Sequence, residues 1–239
     1  MPNHNSRCAD AMIASRLQVA LDTIDLPKAV RVATQVVDVV DRIEIGTPLL
    51  RRYGVRAIEE MRDHCRDSIL IADFKTMDYG YLETKLAIDA GANGVIVQAA
   101  ATRATLEAAC SCAIERNAFV MVDGIGFTDI AELARKVTGL SVKNVIIHKS
   151  KDEQNRYGPL GGLLDADIIP GLPLPPLAIA GGITLHNVSD LLLGNNIDTI
   201  IVGSAIVTSS YPREVAKGFM SLLNGGDHGI RTIGEVAAI

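Results

Sequence analysis

Ile69-Leu70-Ile71-Ala72-Asp73 is a short aliphatic run that ends on an acid. The arrangement recurs along the chain. Leu17-Gln18-Val19-Ala20-Leu21 ends on Asp22, Arg42-Ile43 on Glu44, Phe119-Val120-Met121-Val122 on Asp123, and Val145-Ile146-Ile147 on His148. Two further apolar runs end on glycine turns, at Gly181-Gly182 and Gly203-Ser204. Continuous rather than alternating apolar runs suit parallel strands covered on both faces. They predict strands over 17–22, 40–45, 69–73, 94–98, 118–123, 144–148, 177–180 and 199–203. Amphipathic segments at 26–39, 48–65, 81–90, 102–116, 128–137, 185–193 and 212–223 predict the intervening helices.

The strand ends are spaced by roughly 22 to 32 residues, as repeated βα units require. Eight such units predict an α/β fold, a (β/α)8 TIM barrel, with the ionisable groups at the carboxyl ends of the strands, where that architecture carries its chemistry. An open dinucleotide-binding sheet is disfavoured, because Asp22-Thr23-Ile24-Asp25 stands where a glycine fingerprint would follow the first strand. One unit is irregular. Pro159, Pro170, Pro173, Pro175 and Pro176 preclude a long helix before strand seven. A short helix is predicted around 160–167, then an extended connection.

Composition fits one barrel. The 239 residues, 48% of them hydrophobic and 4% aromatic with no Trp, predict a single domain with an aliphatic core over about 16–224 and short tails. The net charge of −5 argues against a nucleic-acid partner, which leaves a basic footprint. No run reaches the ~18 apolar residues of a membrane span. The polar first 15 residues do not read as a signal peptide. Cys8, Cys65, Cys110 and Cys112 form no Cys-x-x-Cys pair and read as thiols of a reducing compartment. A cytoplasmic protein is expected.

Asp73-Phe74-Lys75-Thr76-Met77-Asp78 is the densest motif. Strand alternation sends Asp73 and Lys75 into the barrel mouth together and Phe74 toward the helices. Asp78 falls on the following loop. A lysine between carboxylates stays charged and becomes well positioned. His148 suits a general acid or base, because an ordinary imidazole titrates near neutral pH. Gly181, Gly182, Gly203 and Ser204 suit a phosphate held by backbone N–H groups on the last two βα loops.

Together these residues resemble the orotidine 5′-monophosphate decarboxylase suprafamily, over roughly residues 17–223. The resemblance rests on Val19-Ala20-Leu21-Asp22, the Asp73-x-Lys75-x-x-Asp78 signature, His148 followed by Asp152-Glu153-Gln154, Ala180-Gly181-Gly182-Ile183 and Val202-Gly203. The stretch Ile43-Glu44-Ile45-Gly46-Thr47-Pro48 is similar to the metal-dependent branch, 3-hexulose-6-phosphate synthases and 3-keto-L-gulonate-6-phosphate decarboxylases. The resemblance implies that Glu44 and Asp73 bind Mg²⁺, and that the metal chelates a ketose carbonyl and its neighbouring hydroxyl to stabilise an enediolate. It implies that Lys75 adds positive charge beside that oxyanion. Asp22 and Asp78 would bind sugar hydroxyls. His148 would move the proton at C1 of D-ribulose 5-phosphate before attack on formaldehyde. It also implies a homodimer in which Asp78 serves the neighbouring subunit.

Within that branch, Ser204 and Asp123 lean toward the synthase, since the keto-gulonate pattern has Arg and Glu at those places. Lys151 is ambiguous, standing where the decarboxylase has Arg. Several residues depart from the pattern around the site: Thr76, Tyr79, Tyr81, the proline-rich stretch 170–176 and the basic Lys149-Ser150-Lys151. The expected activity is therefore the aldolase, with decarboxylation of a keto sugar-acid phosphate as the rival. An epimerase of the same fold would need metal-binding histidines on strands two and three, which are missing. A non-catalytic sugar-phosphate-binding protein would need only the glycine cradle, not the ionisable groups.

Overall fold

The computed structural model describes residues 15–158, 174–192 and 197–225. In chain order the elements are β1 (Arg16–Leu21), α1 (Leu26–Val36), β2 (Arg42–Ile45), α2 (Thr47–Tyr53), α3 (Arg56–His64), β3 (Ile69–Thr76), α4 (Gly80–Asp89), β4 (Gly94–Gln98) and α5 (Arg103–Glu115). Then come β5 (Phe119–Asp123), α6 (Ile130–Val137), β6 (Val142–His148), α7 (Lys151–Tyr157), β7 (Leu177–Ala180), α8 (Val188–Leu192), β8 (Ile197–Val202), α9 (Ser204–Val207) and α10 (Pro212–Leu223). All strand pairs are parallel and β1 closes on β8, giving a (β/α)8 barrel in sequence order.

Local chemistry sets the helix starts. Asp25 accepts from Lys28 N at 2.9 Å to begin α1, and Thr102 accepts from Thr105 N at 3.2 Å to begin α5. Each such cap stabilises by about 1 kcal/mol. The segment predicted as one helix over 48–65 is two. Gly54, at φ +61, ends α2, and α3 starts two residues later. A second difference is α7. Ser150 and Glu153 form a reciprocal capping box at its start, so a helix forms upstream of the prolines. The helix predicted at 160–167 lies outside the described residues, as do Cys8 and most of both tails.

The core has two parts. Outward-facing strand residues such as Leu17, Ile43, Leu70 and Val95 pack under the helices with Met61, Leu106 and Phe219. Each fully buried aliphatic side chain contributes about 1.5–3 kcal/mol. Cys65 and Cys110 are buried thiols of this shell, and Cys112 is buried as well. Inside the barrel, Ala20, Ile71, Ile96, Met121, Ile146, Ala178 and Ile201 form a closed aliphatic layer. Beneath it lies a polar floor. Arg42 donates to Asn144 Oδ1 at 3.1 Å and stands over the Phe119 ring at 5.5 Å, while Asn144 donates to Asp198 at 2.8 Å. Among the described residues the barrel is thus closed from below, and the side chains above the layer face the cavity at the carboxyl ends of the strands. Among the described residues no helix is long and apolar enough to cross a membrane.

Candidate active site

A cavity of about 440 Å³ opens above the aliphatic layer at the carboxyl ends of the strands. Asp22, Glu44, Asp73, Lys75, Asp123 and His148 line it at the ends of β1, β2, β3, β5 and β6. Gly181, Gly182, Gly203 and Ser204 line it at the ends of β7 and β8, with Lys151 also in the lining. The structure therefore gathers every residue singled out above except Asp78.

Lys75 is the hub. Its Nζ lies 3.0 Å from Asp73 Oδ2 and 2.5 Å from Asp123 Oδ2. The carboxylates that bracket it are thus those of β3 and β5, not the Asp73 and Asp78 of its own motif. Its route to this position also departs from simple alternation. β3 bulges between Ala72 and Thr76, and Lys75 adopts a left-handed φ of +49. That conformation costs a non-glycine residue roughly 1–2 kcal/mol. Burial works against the ammonium charge, but Asp73 and Asp123 outweigh it and hold the pKa above the usual lysine range. Phe74 packs outward against the core.

Asp123 joins Lys75 to His148. His148 Nδ1 lies 3.0 Å from both Asp123 oxygens, and Ile125 N donates to Oδ1 at 2.9 Å. Burial pushes the Asp123 carboxyl up, but the hydrogen bond and charge of His148, together with Lys75, bring it down to about 2. An ionised carboxylate only accepts, so Nδ1 carries the proton. In neutral imidazole, Nε2 is then the basic nitrogen.

Glu44 and Asp73 are 5% and 3% exposed. Both are raised, Glu44 well above the ordinary range, by burial first. Glu44 is raised further by Asp73 and Asp22; for Asp73, Lys75 and Thr47 act in the opposite direction without cancelling the effect. Asp73 Oδ2 is occupied by Lys75 and by the Thr47 hydroxyl, at 2.6 Å, while Oδ1 is buried with no hydrogen-bond partner. Two desolvated carboxylates, one with a bare oxygen, fit the Mg²⁺ that the family resemblance implies. Mg²⁺ takes oxygen ligands and often only one or two carboxylates. Among the described residues no group of three or more His, Cys, Asp or Glu forms a metal cage, so substrate and water would complete the shell.

Asp22 is exposed to the cavity, and its carboxyl is raised by desolvation and then by Asp73. A Cβ at Gly46 would lie 2.2 Å from Asp22 Oδ1. The glycine of the Glu44-x-Gly46-Thr47 pattern therefore makes room for that carboxylate. At the end of β7, Gly181 and Gly182 have φ of +114 and +70. A Cβ at Gly181 would meet Lys149 O at 2.3 Å. Asn187 fixes the turn, donating to Gly182 O at 3.0 Å and accepting from Thr184 N at 2.8 Å.

Asp78 is exposed on the β3–α4 loop and accepts from Tyr79 N at 2.8 Å. The divergent neighbours have local roles. Thr76 donates to Glu83 Oε2 at 2.5 Å, and Tyr81 to Glu115 Oε2 at 2.7 Å. Sequence reasoning passed over Gln18, Thr47 and Asn187 as site residues. All three are neutral and lie within or beside motifs, so only their contacts reveal them.

A (β/α)8 barrel with this ring of carboxylates, lysine and histidine at its mouth is built as an enzyme, and its relatives make it one of the lyase class. The chain belongs to the orotidine 5′-phosphate decarboxylase / HUMPS family, whose model matches residues 15–219. It is 36% identical over 203 residues to 3-hexulose-6-phosphate synthase of Mycobacterium gastri, covering 84% of this chain and 96% of that protein. The crystal structure of 3-hexulose-6-phosphate synthase from Salmonella typhimurium superposes with a TM-score of 0.81 at 33% identity, covering 89% of this chain and all of that one. The 3-keto-L-gulonate-6-phosphate decarboxylase of Vibrio cholerae O1 biovar El Tor str. N16961 gives 0.78 at 29% identity, covering 89% and 99%.

Proposed function

We propose that the protein is an Mg²⁺-dependent aldolase that condenses D-ribulose 5-phosphate with formaldehyde to a 3-hexulose 6-phosphate through an enediolate. The observation that carries this is His148, held through Nδ1 by an ionised Asp123 in the same cavity as the bare oxygen of Asp73. That supports a base working beside a site for charge stabilisation.

Glu44 and Asp73 would hold the metal, which supplies Lewis-acid charge to the ketose oxygens when bound. His148 Nε2 takes a proton from C1 of the ketose. The Lys75 ammonium, kept charged by Asp73 and Asp123, lies beside the developing oxyanion. Asp22 accepts hydrogen bonds from sugar hydroxyls. Backbone N–H groups at Gly181, Gly182, Gly203 and Ser204 take the phosphate, with Lys151 at the rim. The enediolate carbon then adds to the aldehyde, and the new alkoxide takes up a proton.

Assembly as a homodimer belongs to the same proposal. Met77, Tyr79, Tyr81, Leu82, Leu86 and Ile114 are exposed on the β3–α4 loop and the outer sides of α4 and α5. An apolar patch of that kind suits an interface, and Asp78 lies within it.

The test is proton exchange at C1 of D-ribulose 5-phosphate in D₂O with Mg²⁺, followed by NMR, and then formaldehyde consumption. Exchange and condensation are expected. Exchange without condensation would retain the enediolate and remove formaldehyde as the partner. Neither, with decarboxylation of 3-keto-L-gulonate 6-phosphate, would replace the aldolase by the decarboxylase.

A further inference from the structure

Gln18 lies inside β1, directly paired in register with Arg42 of β2 and two residues below Ala20. It is fully buried, at 0% exposure. Its Nε2 donates to Glu44 Oε2 at 2.5 Å, whereas its Oε1 is buried with no partner. Leaving such a carbonyl desolvated costs about 1–3 kcal/mol. An aliphatic side chain of similar volume would fill the space without that cost, so packing does not account for the glutamine.

The compensation is local to Glu44. Among the described residues no cation pairs with this carboxylate, and Gln18 makes the one hydrogen bond to its side chain. Asp73 shows the same division of labour. Thr47 and Lys75 hold Oδ2, and Oδ1 is left bare. In each carboxylate, then, one oxygen is tied to protein. Partners behind a ligand fix its orientation, and their loss typically weakens metal binding 10–100-fold.

We propose that Gln18 is a positioning residue of the metal centre: it anchors Glu44 through Oε2 so that Oε1 is the oxygen offered to the ion. The inference rests on the Mg²⁺ reading above. Gln18 touches neither substrate nor metal, and acts only through Glu44.

The test uses metal-free full-length protein titrated with Mn²⁺, with free Mn²⁺ read by electron paramagnetic resonance. Mn²⁺ shares the preference for carboxylate and water oxygens. Gln18→Met keeps the length of the side chain and loses the donor. Gln18→Leu is the second variant in case the first folds poorly. Thr199→Val, on the barrel floor beneath the layer, controls for general loosening of the interior. Wild type should bind one Mn²⁺, and Glu44→Gln should abolish it. Gln18→Met or Gln18→Leu should bind about 10–100-fold more weakly, with melting temperature in chelator unchanged or raised. Thr199→Val should stay within about twofold of wild type. Mn²⁺ affinity unchanged in a folded Gln18 variant would overturn this inference and leave the metal centre standing. Equal weakening in Thr199→Val, or failure of both Gln18 variants to fold, would also overturn it. Absence of Mn²⁺ binding in wild type would remove the metal centre and the inference together.

Discussion

Asp123 spans His148 Nδ1 with both carboxylate oxygens, 3.0 Å from each, while its Oδ2 also lies 2.5 Å from Lys75 Nζ. One buried anion thereby sets the tautomer of an imidazole and helps keep a neighbouring cation charged. His148→Ala should lower C1 exchange by about 10²-fold or more, the usual scale of a lost general base. Asp123→Asn should lower it comparably while leaving the ring in place, since an amide can present N–H to Nδ1 and favour the wrong tautomer. Retained exchange in both variants, measured by NMR, would remove this pair from the chemistry.

Glu44 provides a stability signature. Its folded-state pKa is raised by burial and by Asp73 and Asp22. Above the ordinary carboxylate range the unfolded chain has released a proton that the fold retains or must give up at a cost. Stability should therefore fall as pH rises through that window in chelator. Glu44→Gln should flatten this fall and melt higher than wild type near neutral pH, by roughly 2–4 °C per kcal/mol relieved. Added Mg²⁺ should stabilise wild type and not the variant. Parallel melting curves from pH 5 to 8 would contradict the assignment.

Gly46 should be intolerant of even a methyl group. Its added Cβ would sit 2.2 Å from Asp22 Oδ1, so Gly46→Ala must displace that carboxylate. We expect kcat/KM for the sugar phosphate to fall about tenfold, the worth of one hydrogen bond at about 1.4 kcal/mol. Unchanged kinetics in a folded variant would mean that Asp22 does not bind substrate.

The place of Asp78 can be tested by mixing chains. Asp78→Asn and Lys75→Ala chains, each alone, should both be nearly inactive. If Asp78 acts on the partner's cavity, mixed dimers should regain activity at one of their two sites. An active monomer by light scattering at assay concentration would refute the shared site.

Much of this was legible in the sequence for one physical reason. Buried parallel strands leave continuous apolar runs, so the acids closing them at 22, 44, 73 and 123 stand out against their background. What stayed hidden has equally physical causes. The bulge that turns Lys75 to φ +49 leaves no glycine to mark it, and strand alternation delivers the residue to the same neighbourhood. Its second partner is Asp123, 48 positions away, which no local motif could name over Asp78. Gln18 looks like a polar interruption of an apolar run. The break between α2 and α3 was marked by Gly54, and the start of α7 by Ser150-x-x-Glu153. The continuous amphipathicity of 48–65 masks the first signal, and the downstream prolines mask the second.

The aliphatic layer has a consequence for stereochemistry. Its smallest members, Ala20, Ala178 and Ala180, stand on β1 and β7, while Ile71, Ile96, Met121 and Ile146 stand on β3 to β6 and Ile201 on β8. The mouth of the chamber is therefore uneven, with ionisable side chains at the ends of β1, β2, β3, β5 and β6 and the glycine turns confined to the ends of β7 and β8. On the proposed reaction, a ketose with an anion at one terminus fits that chamber in a single direction. Its planar intermediate would then turn one face to His148 and the other away. Hydrogen lost from C1 in D₂O should come from one prochiral position, and the new carbon–carbon bond should form with one handedness.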